Sequence, residues 1–206
     1  MPAKGGQMFI NTHILDVTGS CFSFLSVIYS IRAKAINWLF TILATCIGIV
    51  LYFQKGLYAD VGLNVFYLVL GFYGWYTWLY GGKNRTTKRI TNLSSKMLYI
   101  LCIISLLGIS LITLFLKLYT DSKIPLWDAS TTVISVVAYW LACRKIIQSW
   151  YLWFIVDGLF AGMYFFKNIP FHGFLYMFYV ILAAVGYLKW KKQMTVSDVE
   201  MEYEQA

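Results

Sequence analysis

An isolated carboxylate and two tryptophans form the most chemically suggestive pattern in this chain. Trp150, Trp153 and Asp157 follow the spacing WxxWxxxD, and at about 100° per residue their side chains share one stripe of a helix. Two indole faces and a carboxylate suit a flat ligand that forms hydrogen bonds and carries positive charge. The alternatives are a structural carboxyl bonded to a neighbouring helix and, for Trp150, a place in an interfacial aromatic belt.

A second set of polar and aromatic residues lies in the run LNVFYLVLGFYGWYTW. Asn64 and Tyr67 share a helical face there, and we interpret both as ligand contacts, with interhelical hydrogen bonding as the alternative. Tyr176 occupies the corresponding face near the C-terminus and is also predicted to contact the ligand. Trp75, Trp78 and Trp190 fit an interfacial belt or an inner gate. Four residues are predicted to line a cavity or form a gate: Trp38, Tyr73, Trp75 and Tyr179.

The chain contains none of the usual enzyme or cofactor motifs. HExxH, GxSxG and the phosphate-binding loop are missing, and Asp157 has no intramembrane carboxylate partner with which to form a catalytic dyad. The four cysteines stand singly, without metal-ligand spacing, and are interpreted as buried small hydrophobes. We therefore predict no enzyme activity, no catalytic residue, no metal and no cofactor.

The composition indicates the elements that must position these residues. The 206 residues are 60% hydrophobic and only 13% charged, with a mean hydropathy of +0.66, whereas a soluble domain is about half apolar and a quarter charged. The net charge of +8 resides mainly in short connections between apolar runs. That is the pattern of a membrane protein, and it argues against a nucleic-acid partner.

Seven apolar runs reach the length of about 20 residues that a membrane span needs. Five basic residues fall on one side of the predicted membrane and twelve on the other, so the positive-inside rule places the N-terminus outside and the C-terminus in the cytoplasm. The acidic tail from Gln193 is predicted to be disordered. The predicted spans are Leu15–Ile31, Ile36–Phe53, Leu57–Tyr80, Lys96–Tyr119, Leu126–Cys143, Ile147–Phe166 and Pro170–Trp190.

An internal repeat relates the first three spans to the last three. Sliding the chain by 112 residues aligns thirteen identical pairs without a gap, including Trp38 with Trp150, where about half as many are expected by chance. Two parallel three-helix repeats joined by one linker helix, with a site near midplane where they meet, follow from this pattern. The predicted segments are 1–14, an extracytoplasmic N-terminus; 15–80, the first repeat; 81–125, a basic loop and linker helix 4; 126–192, the second repeat; and 193–206, the cytoplasmic tail.

The stretches NVFYLVLGFYGWYTW and WYLWFIVDGLFAGMYFFKN, together with the 3+1+3 repeat, resemble the Pnu family of bacterial vitamin transporters. The resemblance covers roughly 15–192, and WxxWxxxD is its most specific part. It implies a SWEET-like fold in the bacterial inner membrane and facilitated diffusion of nicotinamide riboside, which a separate cytoplasmic kinase then traps. It also implies that Trp150, Trp153 and Asp157 hold the substrate together with Asn64 and Tyr67.

Several other readings remain open at this point. Thiamine and riboflavin are also flat vitamins, a SWEET-like sugar carrier could stack its substrate on aromatic rings, and a membrane receptor would bind without transport. The partners expected are the small-molecule substrate and the lipid bilayer, with a kinase coupled only through the substrate. A homo-oligomer is left open.

Overall fold

Most of the residues that the structure describes are in α-helices. A computed structural model describes residues 3–166 and 170–205. Lys167, one of the five basic residues on the predicted outer side of the membrane, lies outside the described residues. The predicted all-α fold with seven helices is confirmed in the described ranges, where a short 3₁₀ turn, Lys83–Arg85, also follows α3. The helices are α1 (Ala3–Ile31), α2 (Asn37–Gln54), α3 (Tyr58–Tyr80), α4 (Ser95–Tyr119), α5 (Pro125–Cys143), α6 (Ser149–Phe166) and α7 (Pro170–Gln205).

The two outermost helices are longer than the predicted spans. Helix α1 begins at Ala3 instead of Leu15. Helix α7 continues to Gln205, so the prediction of a disordered tail after Gln193 is wrong for its backbone. A helix that has already formed adds residues without a new nucleation step, and the tail is rich in Glu, Met and Gln, which favour helix.

Six of the helices are long and apolar enough to cross a membrane among the described residues. Helix α3 is the exception, although its 23 residues would span about 34 Å at 1.5 Å per residue. Its tyrosines, tryptophans and glycines lower its hydropathy without adding charge. The crossing by α3, and with it the opposite placement of the two termini, stays a prediction.

The helices form two compact units, Met1–Lys88 and Arg89–Ala206. In unit 1, α1 packs against α2 and α2 against α3; in unit 2, α4 packs against α5, α5 against α6 and α6 against α7. Helix α4 has no buried residue, and most of its large apolar side chains are exposed, as expected for contact with lipid. Cys21, Cys46 and Cys102 are exposed as well, so the prediction of buried thiols is right only for Cys143.

In unit 2, α6 packs against α7 through two tryptophan rings in contact with each other and with a glycine. Trp150 and Trp190 are both buried, with ring centroids 5.6 Å apart at an interplanar angle of 88°. A Cβ atom added at Gly186 would lie 2.6 Å from Cε3 of Trp150, so only glycine permits this approach. The belt interpretation of Trp150 and Trp190 is therefore wrong, because an interfacial belt requires contact with the membrane surface.

Unit 1 contains the same cluster at the positions 112 residues earlier. Trp38 and Trp78 are buried, with ring centroids 5.6 Å apart at 90°, and a Cβ atom added at Gly74 would lie 2.5 Å from Cζ2 of Trp38. The belt interpretation is wrong for Trp78 too. All three positions are identical in the internal alignment, so sequence identity and local geometry agree within each unit.

The turn between α5 and α6 is a tight left-handed corner. Lys145 has φ +58°, and Ala33, 112 residues earlier, has φ +54° in the turn between α1 and α2. The guanidinium of the neighbouring Arg144 lies 4.9 Å from the centroid of the Trp140 ring, a cation–π distance. Lys145 itself is buried, which disfavours its charged form.

Stability should depend on pH at this corner. Burial lowers the pKa of Lys145 to about 8, whereas an unfolded lysine titrates near about 10.4. Between these values the unfolded chain binds the proton and the folded chain does not, so this residue raises the free energy of unfolding as the pH rises through that window. We expect the midpoint of thermal unfolding of wild type relative to Lys145→Met to climb over that window. A constant difference would contradict the assignment.

Candidate substrate site

Asp157 occupies the middle of α6. It is the ninth of the 18 residues of this helix, about 12 Å from the helix start at 1.5 Å per residue. Its side chain is only 9% exposed, and Tyr179 of α7 is close enough to interact with it electrostatically. A carboxylate at such a depth in an apolar helix costs at least about 2.5 kcal/mol to place in a membrane, so a polar or cationic partner there stabilises it.

The two predicted tryptophans of the stripe differ in their surroundings. Trp153 is half-buried. It lies one helical turn before Asp157, so the indole and the carboxyl group are neighbours on the surface of the helix. Trp150 is enclosed by Trp190 and Gly186, and its buried Nε1 donor has no hydrogen-bond partner among the described residues. Trp150 therefore has a packing role, whereas Trp153 offers accessible ring surface.

Aromatic rings of α6 and α7 continue the stripe beyond Asp157. Tyr176 stacks on Tyr164, with centroids 5.4 Å apart at 18°, and lies 4.9 Å from the ring of Phe160. Tyr179 contacts Tyr176 at 6.0 Å. Sequence reasoning missed Phe160 and Tyr164, although the alternating spacing of three and four residues runs from Trp150 through both of them.

The predicted contacts of unit 1 lie on α3. The Nδ2 atom of Asn64 donates to the Asp60 carbonyl at 2.9 Å, and its Oδ1 atom lies 2.8 Å from the position of a Cβ atom at Gly48 in α2. Tyr67 is half-buried beside Phe66, with centroids 6.0 Å apart. Asn64 thus hydrogen-bonds within α3 and packs against α2. This is not the interhelical hydrogen bond named above as the alternative, and its contact with a ligand stays a prediction.

The predicted gate residues are spread over different environments. Trp38 belongs to the buried cluster of unit 1, Trp75 is half-buried and Tyr179 lies beside Asp157. The Tyr73 side chain is 42% exposed on a face of α3 that differs from that of Asn64 and Tyr67. A gate role for these residues stays a prediction.

The position equivalent to Asp157 in unit 1 is Thr45. Its hydroxyl is bonded within α2, to the carbonyls of Thr41 at 2.9 Å and Ile42 at 3.0 Å. A serine–threonine hydrogen bond also joins Ser26 of α1 to Thr41. Unit 1 therefore satisfies the polar group at this position within its own helix, where unit 2 presents a carboxyl group.

In the described residues, no three His, Cys, Asp or Glu side chains lie close enough together to hold a metal ion. What converges in unit 2 is one carboxyl group, a half-buried indole and a cluster of phenylalanine and tyrosine rings in contact. Apolar helices carrying such a set define a multi-pass membrane protein that binds and moves a small molecule.

Residues 13–192 match the sequence model of the nicotinamide mononucleotide transporter family. The chain belongs to that family, which consists of transporters and not enzymes.

Relatives that match most of this chain agree with this assignment. The nicotinamide riboside transporter PnuC of Escherichia coli is 22% identical to this chain. The alignment covers 85% of this chain and 84% of that protein. The PnuC of Neisseria mucosa is 25% identical, with 82% of this chain and 68% of that protein covered. The riboflavin/roseoflavin transporter RibM of Streptomyces davaonensis is 23% identical, with 89% and 88% covered.

A solved structure shares the fold. The crystal structure of the vitamin B3 transporter PnuC superposes with a TM-score of 0.66 at 21% sequence identity, covering 95% of this chain and 93% of that chain. The predicted helical membrane fold is confirmed by this match.

Proposed function

We propose that the protein carries nicotinamide riboside across the bacterial inner membrane by facilitated diffusion. The observation that carries this proposal is the buried Asp157 carboxyl group beside the Trp153 indole, in the middle of α6. The pyridinium of nicotinamide riboside is flat and cationic, which suits both an indole face and a carboxylate. Its ribose hydroxyls are donors that a carboxylate or an amide accepts.

The same carboxylate favours a riboside over a mononucleotide. A phosphate group carries one to two negative charges, and two like charges 4 Å apart repel by about 4 kcal/mol at the effective dielectric constant of a protein surface. No lysine or arginine of α6 lies between Ser149 and Phe166 to offset such a charge. A neutral or cationic nucleoside avoids this repulsion.

The remaining predicted residues have proposed roles within their own units. Tyr176 and Tyr179 wall the site around Asp157, and Trp150 fixes α6 against α7. In unit 1, Asn64 and Tyr67 offer an amide and a phenol to the substrate. The 3+1+3 arrangement, an outside N-terminus and a cytoplasmic C-terminus belong to this proposal, supported by the 112-residue repeat and the charge distribution.

Transport requires no energy source under this proposal. A uniporter releases substrate on either side, and phosphorylation by a separate cytoplasmic riboside kinase would trap it inside the cell. The kinase need not touch the transporter, because the free substrate links them.

Riboflavin is the second candidate substrate. The 23% identity to RibM over 88% of that protein is comparable to the identities to PnuC, and the flavin ring is also flat. Riboflavin is neutral, however, and gains no attraction from a charged Asp157.

Purified protein in liposomes should take up labelled nicotinamide riboside saturably, until inside and outside concentrations are equal, without an imposed ion gradient. Unlabelled nicotinamide riboside should compete, whereas riboflavin, thiamine and nicotinamide mononucleotide should compete at least about tenfold less well, a difference of 1.4 kcal/mol. Preferred uptake of riboflavin would replace the substrate. Binding without uptake would identify a receptor, and dependence on a proton or sodium gradient would exclude uniport.

A further inference from the structure

A short extended segment before α4 is bonded to the corner where α6 begins. We name residues Thr91, Asn92 and Leu93 the strap. The Thr91 amide donates to the Lys145 carbonyl at 3.1 Å, and the Ile147 amide donates to the Thr91 carbonyl at 3.0 Å. Together these bonds form a parallel β-bridge between Thr91 and Ile146, the one such bridge in the described residues.

The side chain of Gln148 extends the same attachment. Its Oε1 atom accepts from the Leu93 amide at 2.9 Å, and its Nε2 atom donates to Asn92 Oδ1 at 3.1 Å. One glutamine thus satisfies both a backbone and a side-chain group of the strap. Gln148 directly precedes Ser149, the first residue of α6.

The strap lies between the first residues of two helices. Ser94, the next residue, caps α4 by accepting from the Met97 amide at 3.4 Å. On the other side, Ile147 and Ser149 are buried, so the corner that receives the strap is part of the packed interior of unit 2. The strap therefore ties the beginning of α4 to the beginning of α6.

The turn between α1 and α2 in unit 1 has no glutamine at the position that corresponds to Gln148. Its left-handed turn at Ala33 has the same conformation as the turn at Lys145, but Ile36 stands where unit 2 has Gln148, and its side chain is 43% exposed. An isoleucine side chain cannot accept or donate a hydrogen bond. The glutamine attachment thus belongs to the unit whose helix carries the intramembrane carboxyl group.

We propose that the strap positions α6, so that Gln148 and Asn92 set substrate affinity without touching the substrate. Asp157 lies nine residues after Gln148 on the same rigid helix, and any tilt of the helix start displaces it. If release of the strap leaves only a fraction of molecules with α6 in the binding position, the apparent dissociation constant rises by the inverse of that fraction. The maximal rate is preserved, because saturating substrate selects the binding-competent molecules.

This inference rests on the proposed transport of nicotinamide riboside and is tested with nested variants in liposomes. Gln148→Ala removes both side-chain bonds and should raise the half-saturation concentration about three- to tenfold, with the maximal rate unchanged. Asn92→Ala removes one bond and should have a smaller effect. The double variant should be no worse than Gln148→Ala, since the Asn92 bond is already lost. Ile36→Ala is the matched control and should leave both parameters unchanged.

A second readout needs no substrate and separates failure of this inference from failure of the proposed function. Cys143, the last residue of α5, is buried, whereas Cys21, Cys46 and Cys102 are exposed. With the exposed three replaced by serine, Gln148→Ala should speed alkylation of Cys143 by a permeant maleimide, and Ile36→Ala should not. A lower maximal rate at constant half-saturation, additive effects in the double variant or unchanged alkylation would overturn the inference.

Discussion

Asp157→Ala should reduce uptake of nicotinamide riboside by about tenfold to a hundredfold at low substrate concentration. A hydrogen bond to a charged group contributes about 1.5–3 kcal/mol, and every 1.4 kcal/mol is a factor of about ten. Under the proposed mechanism the carboxylate binds the substrate in both the entry and the exit state, so the effect should appear mainly in the half-saturation concentration. Initial rates of uptake into liposomes, measured over a range of substrate concentrations, test this directly.

Two further variants separate charge from shape at this position. Asp157→Asn keeps the size and one acceptor, so its loss should be smaller than that of alanine. Thr45→Ala is the matched control in unit 1, where the hydroxyl bonds only to its own helix in the described contacts, and uptake should stay near wild type. Equal losses for Asp157→Ala and Thr45→Ala would argue that any polar group in these helices matters only for folding.

Gly186→Ala should destabilise the protein and lower its thermal midpoint by several degrees. The added Cβ atom would lie 2.6 Å from Cε3 and Cζ3 of the buried Trp150 ring, and overpacking of this kind costs about 1–3 kcal/mol. In a chain of about 200 residues each kcal/mol corresponds to about 2–4 °C. Thermal unfolding of the detergent-purified protein, followed by its tryptophan fluorescence, gives the midpoint.

Gly158→Ala is the matched control, because nothing lies within 4 Å of a Cβ atom at that position. Alanine is favoured over glycine within a helix by about 1 kcal/mol, so this variant should be as stable as wild type or slightly more stable. Gly74→Ala and Gly62→Ala form the same contrast in unit 1, since Gly62 is open and Gly74 faces Trp38. Midpoints that fall equally in both members of a pair would rule out steric contact with the tryptophan as the cause.

Hydropathy was sufficient to locate the helices but not to define their outer ends. The connections between helices are polar or carry charge, so each apolar run has clear limits and the inner boundaries fell within two residues of those observed. The tail after Gln193 has no apolar period, and hydropathy therefore gave no signal for the continuation of α7. Its helical backbone depends on propagation from the preceding turns.

The stripe on α6 was predictable because its spacing is a property of one helix. The roles of individual tryptophans were not, since a buried ring and an interfacial ring have the same composition signal. Trp190 was assigned to an interfacial belt or an inner gate, and Trp150 to the substrate site with a belt as the alternative. Only the approach of Gly186 of α7 to Trp150 of α6 shows that these rings pack inside. Likewise the partner of Gln148 is 56 residues away at Asn92, which no local pattern could reveal.

The recurrence of one tryptophan–glycine–tryptophan cluster in each unit has a consequence for which substitutions each unit can accept. A larger residue at Gly74 or Gly186 requires a smaller ring opposite it, so the positions within each cluster can change only together. The site positions are under no such constraint, and one copy carries Thr45 where the other carries Asp157. The two units thus share one packing arrangement and differ in the polar group that the aligned position presents.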